Sequence, residues 1–263
     1  MKGPTVFCCP VCRATLEENE KNYICQSNHN FDKAKQGYVN LLMSNKSGVH
    51  GDDKLMVEAR QSFLEKGYYS PMREEVNRIL GENNVVLDAG CGEGYYTSLF
   101  AEKNTVFGID VSKDALKKAS AKCKNASFAV ASIYDMPIGD SSLDVIINIF
   151  APDSQQEYLR TLKKGGRLIV VTPMENHLME LKSAVYDQPY KNQYVDPQKD
   201  GFEIVSTSEI KYEINLDCNQ DIISLFKMTP YYYNTSKKDV QKLDAYNSLK
   251  TKVEFLITEY RKI

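Results

Sequence analysis

Residues Val85–Tyr96 read VVLDAGCGEGYY, and this stretch decides the fold class. The apolar run VVLDA predicts a short buried strand, and the glycine-rich segment after it leads into a predicted helix. Gly90, Gly92 and Gly94 let the backbone turn sharply and approach a ligand closely. Free N–H groups at the start of the following helix suit a carboxylate or a phosphate. The stretch therefore predicts a ligand-binding strand–loop–helix unit.

An acidic residue follows at the separation that such a loop requires. Asp110 comes twenty residues after Gly90 and ends the second predicted strand, TVFGID. A carboxylate there can accept hydrogen bonds from both hydroxyls of a ribose. A dinucleotide-binding loop is the rival interpretation, but here Asp88 precedes the loop within the strand and no second nucleotide-binding half follows. A purely structural turn is disfavoured, because the loop lies between a predicted strand and a predicted helix as a ligand-binding loop does.

From Val85 onward, apolar runs of strand length alternate with helical segments. The predicted strands cover residues 85–89, 105–110, 127–132, 143–150 and 167–172. Because each run is nearly continuous in apolar residues, the alternation predicts an α/β fold with a doubly wound, Rossmann-like parallel sheet. Polar and apolar residues alternate over 201–216, which predicts a late antiparallel hairpin.

Helices are predicted between and before these strands. The segments are Asp53–Lys66, a stretch from Pro71 onward, 94–103, 114–123 with Ser112 as its cap, 154–163 and 175–186. In the first of them, apolar residues share one face. They are Leu55, Met56, Ala59, Phe63 and Leu64.

Four potential metal ligands occur near the N-terminus. Cys9-x2-Cys12 is followed, after twelve residues, by Cys25-x3-His29. Zinc takes thiolates and imidazole in a tetrahedron, and two close pairs separated by a loop supply them without strain. Cys8 is an alternative to Cys9, although the two-residue spacing favours Cys9. Since all four ligands come from the protein, the pattern predicts a closed, structural zinc site.

The bulk composition excludes some classes of protein. The 263 residues carry a net charge of -2, so no overall basic excess indicates a nucleic-acid partner, although local charge matters more. The N-terminus has no apolar signal region, and the longest apolar run is too short to span a bilayer. Seven cysteines in such a chain are better explained as reduced thiols or metal ligands. We therefore expect a cytoplasmic protein with no membrane contact.

Several segments resemble a known superfamily. VLDAGCGEGYYT, GID, DMPIGDSSLDVI and LKKGGRLIVVTP occur in this order and resemble the successive motifs of class I S-adenosylmethionine-dependent methyltransferases. The resemblance implies that Asp88–Gly94 cradles the methionine part of the cofactor and that Asp110 holds its ribose. Members usually carry Pro before the paired glycines, where this chain has Lys164.

Further segments narrow the resemblance. CPVC, YICQSNHNFDKAKQGYVNLL, EARQSFLEKGYYSP, IFAP, HLMELK and KMTPYYY follow in order, so the similarity covers essentially the whole chain. Together they closely resemble the bacterial 23S ribosomal RNA guanine-N1-methyltransferases, which modify a guanine in the loop of hairpin 35. One subgroup modifies one guanine of that loop and a second, associated with macrolide-type resistance, modifies a nearby one. The residues do not separate the two subgroups.

The family resemblance assigns roles and domains. It implies zinc ligation by Cys9, Cys12, Cys25 and His29, and cofactor contacts by Tyr69, Gly92, Glu93 and His177 beside Gly90 and Asp110. It also implies a homodimer whose zinc modules line an RNA-binding cleft. The expected organisation is a zinc-binding RNA-recognition module over 1–35, a helical bridge over 36–80 and the methyltransferase domain over 81–263.

Residues at the end of the fourth predicted strand are candidates for catalysis. Asn148 is expected to bind the guanine edge or the cofactor amine, and Asp153 to accept the N1 proton or to cap a helix. Phe150 or Tyr96 is expected to stack on a flipped base, unless either is simply core. Candidate phosphate contacts, any of which can equally be surface charge, are Lys33, Lys35 and Lys46.

Two other functions fit parts of the sequence. A small-molecule methyltransferase shares the sheet and the DMPIGDSSLDVI segment but gives no reason for a zinc module. A non-catalytic protein that grips RNA through zinc and only binds the cofactor is disfavoured by the intact glycine loop and Asp110.

Overall fold

The computed structural model describes residues 5–43 and 51–263. Lys46, a predicted phosphate contact, lies outside them. The strands are β1 Leu16–Glu18, β2 Asn22–Cys25, β3 Asn30–Asp32, β4 Val39–Asn40, β5 Val85–Ala89, β6 Thr105–Asp110, β7 Ala126–Val130, β8 Leu143–Ile149, β9 Leu162–Pro173, β10 Phe202–Leu216 and β11 Leu249–Lys262. The α-helices are α1 Lys54–Leu64, α2 Ser70–Leu80, α3 Tyr95–Phe100, α4 Lys113–Lys122, α5 Gln155–Thr161, α6 Met179–Val185, α7 Asn219–Lys227 and α8 Lys237–Gln241.

The main sheet has eight strands in the order β10-β11-β9-β8-β5-β6-β7-β4. The strands from β9 to β4 run parallel, which confirms the predicted fold class. The chain leaves β5 toward β6 and β7, then returns to the other side of β5 to form β8 and β9. A ligand site is expected at the carboxyl ends of β5 and β8, where the winding direction changes.

Both faces of the parallel strands are buried, which explains their continuous apolar runs. Alternate residues point to opposite faces. One face buries Val86, Val106, Val145, Ile147 and Ile169 together with helices α2, α3 and α4. The opposite face buries Leu87, Ile109, Ile146 and Leu168 together with Tyr158 of α5 and residues of the N-terminal segment.

The predicted late hairpin is placed wrongly, although an antiparallel pair does close the sheet. Residues 202–216 form the single strand β10, whose partner is β11, with α7 and α8 in between. Strand β10 alternates over fifteen residues with no Gly or Pro inside it, so the chain has no place to turn. Strand β11 then pairs antiparallel with β9 and joins β10 to the parallel strands.

Two helices form the bridge before the sheet. Helix α1 is capped by Asp53, whose carboxylate accepts a hydrogen bond from the Met56 N–H at 2.9 Å. Leu55 does not lie on the buried face as predicted, since it is 59% exposed, whereas the other four predicted residues are buried. Helix α2 has Pro71 in its first turn, as predicted.

The N-terminal segment packs directly on the main sheet. Strands β1 to β3 form a small antiparallel sheet, and β4 pairs parallel with β7 at the edge of the main one. Phe7 is fully buried, and its ring lies 5.3 Å from that of Phe107 in β6 and 5.8 Å from that of Tyr23. The expected boundary near residue 35 thus falls between β3 and β4. Among the described residues, no helix combines the length and hydropathy needed to cross a membrane.

Candidate functional site

The glycine loop lies at the carboxyl end of β5. Its three glycines have positive φ values of 79° (Gly90), 55° (Gly92) and 81° (Gly94), which side chains with a Cβ rarely adopt. A Cβ on Gly90 would lie 2.6 Å from the Cβ of Ala151, in the loop after β8. Glycine is therefore required at position 90 both for the turn and for the close approach of two loops.

Asp110 lies beside this loop at the end of β6. Its Oδ2 accepts a hydrogen bond from the Gly92 N–H at 2.9 Å, and its Oδ1 accepts one from the Ser112 N–H at 2.8 Å. A carboxylate has about four lone-pair sites, so about two remain for a ligand. Burial raises the pKa of Asp110, while the two N–H groups oppose that rise. The carboxylate is thus held in place with accepting capacity to spare.

Two further acids belong to the same strand and loop. Asp88 is buried and accepts a hydrogen bond from the Thr97 hydroxyl at 2.6 Å, which ties β5 to α3. Burial raises the pKa of Asp88 to about 7. Glu93 is also buried, and burial raises its pKa against the opposing charge of Arg60. The cradle is therefore rich in acids for its size.

Tyr69 and His177 meet although they are far apart in sequence. The Tyr69 hydroxyl lies 3.5 Å from His177 Nε2, and His177 Nδ1 accepts a hydrogen bond from the Glu254 N–H at 3.1 Å. Because Nδ1 accepts, the ring proton is assigned to Nε2. Burial lowers the pKa of His177 to about 3, so the ring is neutral at physiological pH. The Tyr69 ring packs edge-on against Phe255, which fixes its direction.

The loop after β8 forms the other wall. The Asn148 amide donates to the Pro152 carbonyl at 2.9 Å and to the Tyr158 hydroxyl at 2.7 Å, and its oxygen accepts from the Ala151 N–H at 3.1 Å. Both amide hydrogens are thus used within the protein. This arrangement favours a positioning role for Asn148 over a direct bond to the guanine, and the catalytic role remains a prediction.

Phe150 and Asp153 lie on the same loop. Phe150 has a positive φ of 59° and is 43% exposed, whereas Tyr96 is only partly exposed. Asp153 forms an ion pair with Lys199 at 2.6 Å. The N-cap alternative for Asp153 is wrong, because Ser154 occupies that position of α5.

The seven predicted cofactor residues come from four separate regions around the carboxyl ends of β5, β6 and β8. Two charged residues that the sequence prediction did not single out, Asp52 and Arg60, form an ion pair beside Gly92. The only sequence signal for Arg60 is its place in the bridge segment EARQSFLEKGYYSP.

The four predicted zinc ligands converge in the N-terminal module. The donor atoms all lie within 4.8 Å of one another and belong to Cys9, Cys12, Cys25 and His29. His29 Nδ1 lies 3.4 Å from each of two thiols, and the Cys12 and Cys25 sulfurs are 3.7 Å apart. Tetrahedral zinc with its usual bond lengths separates two sulfurs by about 3.8 Å and a sulfur from a nitrogen by about 3.5 Å. The donor set therefore fits zinc.

Backbone geometry explains why these ligands converge. Arg13 and Asn28 both have a φ of 62°, and each N–H donates to the carbonyl of the first cysteine of its pair, Cys9 or Cys25, at 2.8 Å. Each pair thus ends in a tight turn that aims both ligands inward. The Cys8 sulfur lies instead beside Gly139 and outside the cluster.

Of the other predicted phosphate contacts, one has a partner inside the module. The Lys33 ammonium lies 2.7 Å from Glu18, and both side chains are largely buried. Lys33 is therefore a poor candidate for binding phosphate, whereas Lys35 is exposed.

Comparison with known families agrees with both parts of the site. Residues 80–252 match the model of a methyltransferase domain, and residues 7–47 match the N-terminal zinc ribbon of RlmA. In solved structures the fold resembles YcgJ from Bacillus subtilis, with a TM-score of 0.51 and 16% identity over 72% of this chain and 97% of that one. At that identity the likeness concerns the fold alone.

Three named relatives resemble the chain at higher identity. "23S rRNA (guanine(748)-N(1))-methyltransferase" of Streptomyces fradiae is 36% identical over 187 residues, which are 67% of this chain and 66% of the relative. "Putative 23S rRNA (guanine-N(1)-)-methyltransferase YxjB" of Bacillus subtilis (strain 168) is 31% identical over 93% of both chains. "Putative 23S rRNA (guanine-N(1)-)-methyltransferase" of Micromonospora griseorubida is 30% identical over 86% of both chains.

A methyltransferase sheet and an RlmA-type zinc ribbon thus occur together, and relatives that match nearly the whole chain share one description. The chain belongs to the S-adenosylmethionine-dependent methyltransferases, in the family of the 23S rRNA (guanine-N1-)-methyltransferases.

Proposed function

We propose that the protein methylates N1 of a guanine in the loop of hairpin 35 of 23S ribosomal RNA in the cytoplasm. The observation that carries the proposal is the packing of an RlmA-type zinc ribbon on the sheet that bears the glycine loop and Asp110. A small-molecule methyltransferase has no use for such a module. The relatives named for 23S rRNA support the substrate, and one of them is named for guanine 748.

The proposed cofactor contacts divide into backbone and side-chain groups. S-adenosylmethionine, when bound, supplies a methyl group on an electrophilic sulfonium. Gly90, Gly92 and Glu93 form the loop that approaches it, and Asp110 accepts hydrogen bonds from the ribose hydroxyls with its remaining lone pairs. Asp88 holds the loop in shape through Thr97.

Tyr69 and His177 form an ordered hydrogen-bond relay in this proposal. Since the proton of His177 is on Nε2, the ring donates toward the Tyr69 oxygen. The Tyr69 hydroxyl then has its own proton left to donate to an acceptor on the cofactor. The relay stays in this state at physiological pH because burial holds the pKa of His177 at about 3.

Phe150 is the proposed stacking surface for the target base. A positive φ for a residue with a large side chain costs on the order of 1–3 kcal/mol, and such strain is concentrated at functional sites. The strain is held by the Asn148 hydrogen bonds and by a bond from the Phe150 N–H to the Val171 carbonyl at 3.3 Å. The ring is 43% exposed at the loop opposite Gly90, where a flipped guanine can reach it.

The proton on guanine N1 must leave during methyl transfer. Asp153 is the proposed acceptor because it is half exposed on the same loop as Phe150. Its partner Lys199 can hold the carboxylate in place. Loss of methyl transfer in Asp153→Asn, with unchanged RNA affinity, is the expected result, and full turnover would remove Asp153 from the mechanism.

The zinc module is the proposed reader of the RNA hairpin. We propose that Cys9, Cys12, Cys25 and His29 hold one structural zinc ion that keeps both ligand turns in place. Two copies of the chain would place their modules along a shared RNA cleft. Sedimentation of the protein with and without hairpin RNA tests this dimer, and a monomer in both states would exclude it.

Primer extension tests the proposed function directly. The protein is incubated with S-adenosylmethionine and 23S rRNA that lacks the modification, because N1-methylguanine stops reverse transcriptase. A new stop at a single hairpin 35 guanine is expected, and its position also identifies which guanine is modified. Label from the methyl donor that appears only in small metabolites would contradict the proposal. Asp110→Asn serves as the control with weakened cofactor binding.

A further inference from the structure

A guanidinium from the bridge lies against the glycine loop. Arg60 of α1 forms an ion pair with Asp52 through Nη1, and a Cβ on Gly92 would lie 3.5 Å from that same nitrogen. The carboxylates of Glu93 and Asp110 also attract this guanidinium. A residue from outside the methyltransferase sheet therefore completes the wall of the cofactor cradle.

The Asp52–Arg60 pair contacts the two residues that hold Asp110. The Asp52 carbonyl accepts a hydrogen bond from the Ser112 hydroxyl at 2.8 Å, and Arg60 lies against Gly92. Ser112 and Gly92 are the residues whose N–H groups donate to the Asp110 carboxylate. The bridge thus encloses Asp110 from the side of α1 and fixes both of its backbone partners.

Asp110 needs a positive charge nearby because acids surround it. Burial and Asp52 both raise the pKa of Asp110, and the carboxylates of Asp88 and Glu93 repel its charge. The buried Cys91 thiol also faces it, as an uncharged group whose pKa burial raises further. Arg60 favours the ionised carboxylate together with the two N–H partners, and it offsets part of the opposing effect of Asp52, which is the larger of the two. Lys122, a cation of α4, acts on Glu93.

We propose that Arg60 is a positioning residue for the methyl donor: through its contact with Gly92 and its ion pair with Asp52, it keeps the Asp110 carboxylate oriented so that its free lone pairs accept the ribose hydroxyls. Its positive charge also favours the ionised form of that carboxylate. The inference rests on the proposed contact between Asp110 and the ribose. Arg60 acts through Asp110 in this scheme and does not touch the amino-acid part of the cofactor. Asp52 in turn holds Arg60 in place and balances its charge.

Binding of two ligands across a pH range tests the proposal. The dissociation constants of S-adenosylhomocysteine and of methylthioadenosine, which has the ribose but no amino-acid part, are measured by calorimetry from pH 6 to pH 8. Without Arg60 the pKa of Asp110 rises, so Arg60→Gln should weaken both ligands by the same factor. That loss should grow as the pH falls from 8 to 6, because more of the carboxylate is then protonated. The affinity of the wild-type protein should change less than that of Arg60→Gln over the same range.

Matched variants separate charge from packing. Arg60→Lys retains a positive charge, so its affinity should follow that of the wild type across the pH range, and this variant carries the test if Arg60→Gln fails to fold. Arg78→Gln removes an exposed arginine of α2 that pairs with Glu75, and it should bind both ligands as the wild type does. A pH-dependent loss of affinity in Arg60→Lys would overturn the proposal.

Two other outcomes are decisive. If Arg60→Gln weakens S-adenosylhomocysteine alone, the guanidinium binds the amino-acid carboxylate and the proposal is wrong. The proposal also fails if Arg60→Gln binds both ligands normally at every pH. Asp110→Asn should weaken both ligands at all pH values. If it does not, the proposed Asp110 contact itself fails, which is distinguishable from a failure of Arg60 alone.

Discussion

The cofactor cradle and the zinc module are held together by different physical means. The cradle follows the parallel strands β5 and β6, which have five and six residues and are buried on both faces. Its Asp110 carboxylate is held by two backbone N–H groups. The strands of the zinc module have only three or four residues, and few of its apolar side chains are buried. Such small units need a metal to stay folded. Hydrophobic burial therefore specifies the first site, and ligand chemistry specifies the second.

The two regions nevertheless share one core. Phe7, Leu16 and Tyr23 of the module are buried in the same cluster as Leu87 and Phe107 of the sheet. Arg13 also donates to the Met136 carbonyl at 2.9 Å, in the loop after β7. The module therefore covers one face of the sheet as a fixed part of the domain and does not move freely on a linker.

Loss of the metal should have the largest effect. In Cys25→Ser the module should unfold, because structural zinc contributes on the order of 10 kcal/mol to such sites. Bound zinc, measured by a metal-release assay, should fall from one ion per chain to none, and the exposed sheet face should bind an apolar dye. Cys8→Ser is the matched control, since the Cys8 sulfur lies outside the cluster. Full zinc content in Cys25→Ser would show that the cluster is assigned wrongly.

A methyl group in the glycine loop should damage the other region selectively. Gly90→Ala adds a Cβ 2.6 Å from the Cβ of Ala151, at a φ of 79°. The glycine loop and the loop after β8 must therefore move apart. We expect cofactor affinity, measured by calorimetry, to fall by more than about a hundredfold, which corresponds to about 3 kcal/mol. Gly165→Ala has a similar φ of 72° with open space around it and isolates the cost of backbone strain. Equal effects of both changes would mean that the close approach is unimportant.

Removal of the Phe150 ring should affect RNA and not the cofactor. Base–aromatic stacking is worth about 1–3 kcal/mol, so Phe150→Ala should lower kcat/KM for hairpin RNA by roughly 10- to 100-fold. Phe150→Tyr keeps a stacking face and should retain most activity. S-adenosylhomocysteine affinity should be unchanged in both variants. A loss confined to the cofactor would place Phe150 in the cradle wall instead.

The smallest expected effect concerns acid stability. The pKa of His177 is lowered by burial from 6.5 to about 3, so below pH 6.5 the unfolded chain binds a proton that the folded chain does not. Stability is therefore lost as the pH falls from 6.5 toward 3. Between pH 7 and pH 5.5, urea unfolding should show that wild type loses about 1 kcal/mol more than His177→Asn. Parallel losses in both proteins would contradict a buried neutral imidazole.

Sequence alone predicts what depends on local spacing. The glycine loop, Asp110 and the four zinc ligands each follow from separations of a few residues or from one strand–helix unit, because backbone geometry converts such spacing directly into proximity. The parallel sheet follows for the same reason, since continuous apolar runs require burial on both faces.

What depends on distant pairing is not predicted. The partner of β10 is β11, beyond two helices; the absence of Gly and Pro inside β10 argues against an internal turn but does not identify that partner. Lys33 finds Glu18 within the module, and Arg60 reaches Gly92 from a helix that precedes the sheet. Charged side chains of this kind look solvent-exposed in sequence, because their partners depend on the tertiary fold.

We propose that the zinc module selects the RNA while the carboxyl edge of the parallel sheet binds the methyl donor. Equilibrium binding of hairpin 35 RNA and of S-adenosylhomocysteine to Cys25→Ser and Asp110→Asn tests it most directly. Cys25→Ser should lose more than about a hundredfold in RNA affinity and less than about tenfold in cofactor affinity, and Asp110→Asn should show the reverse. Wild-type RNA affinity in Cys25→Ser would contradict the account.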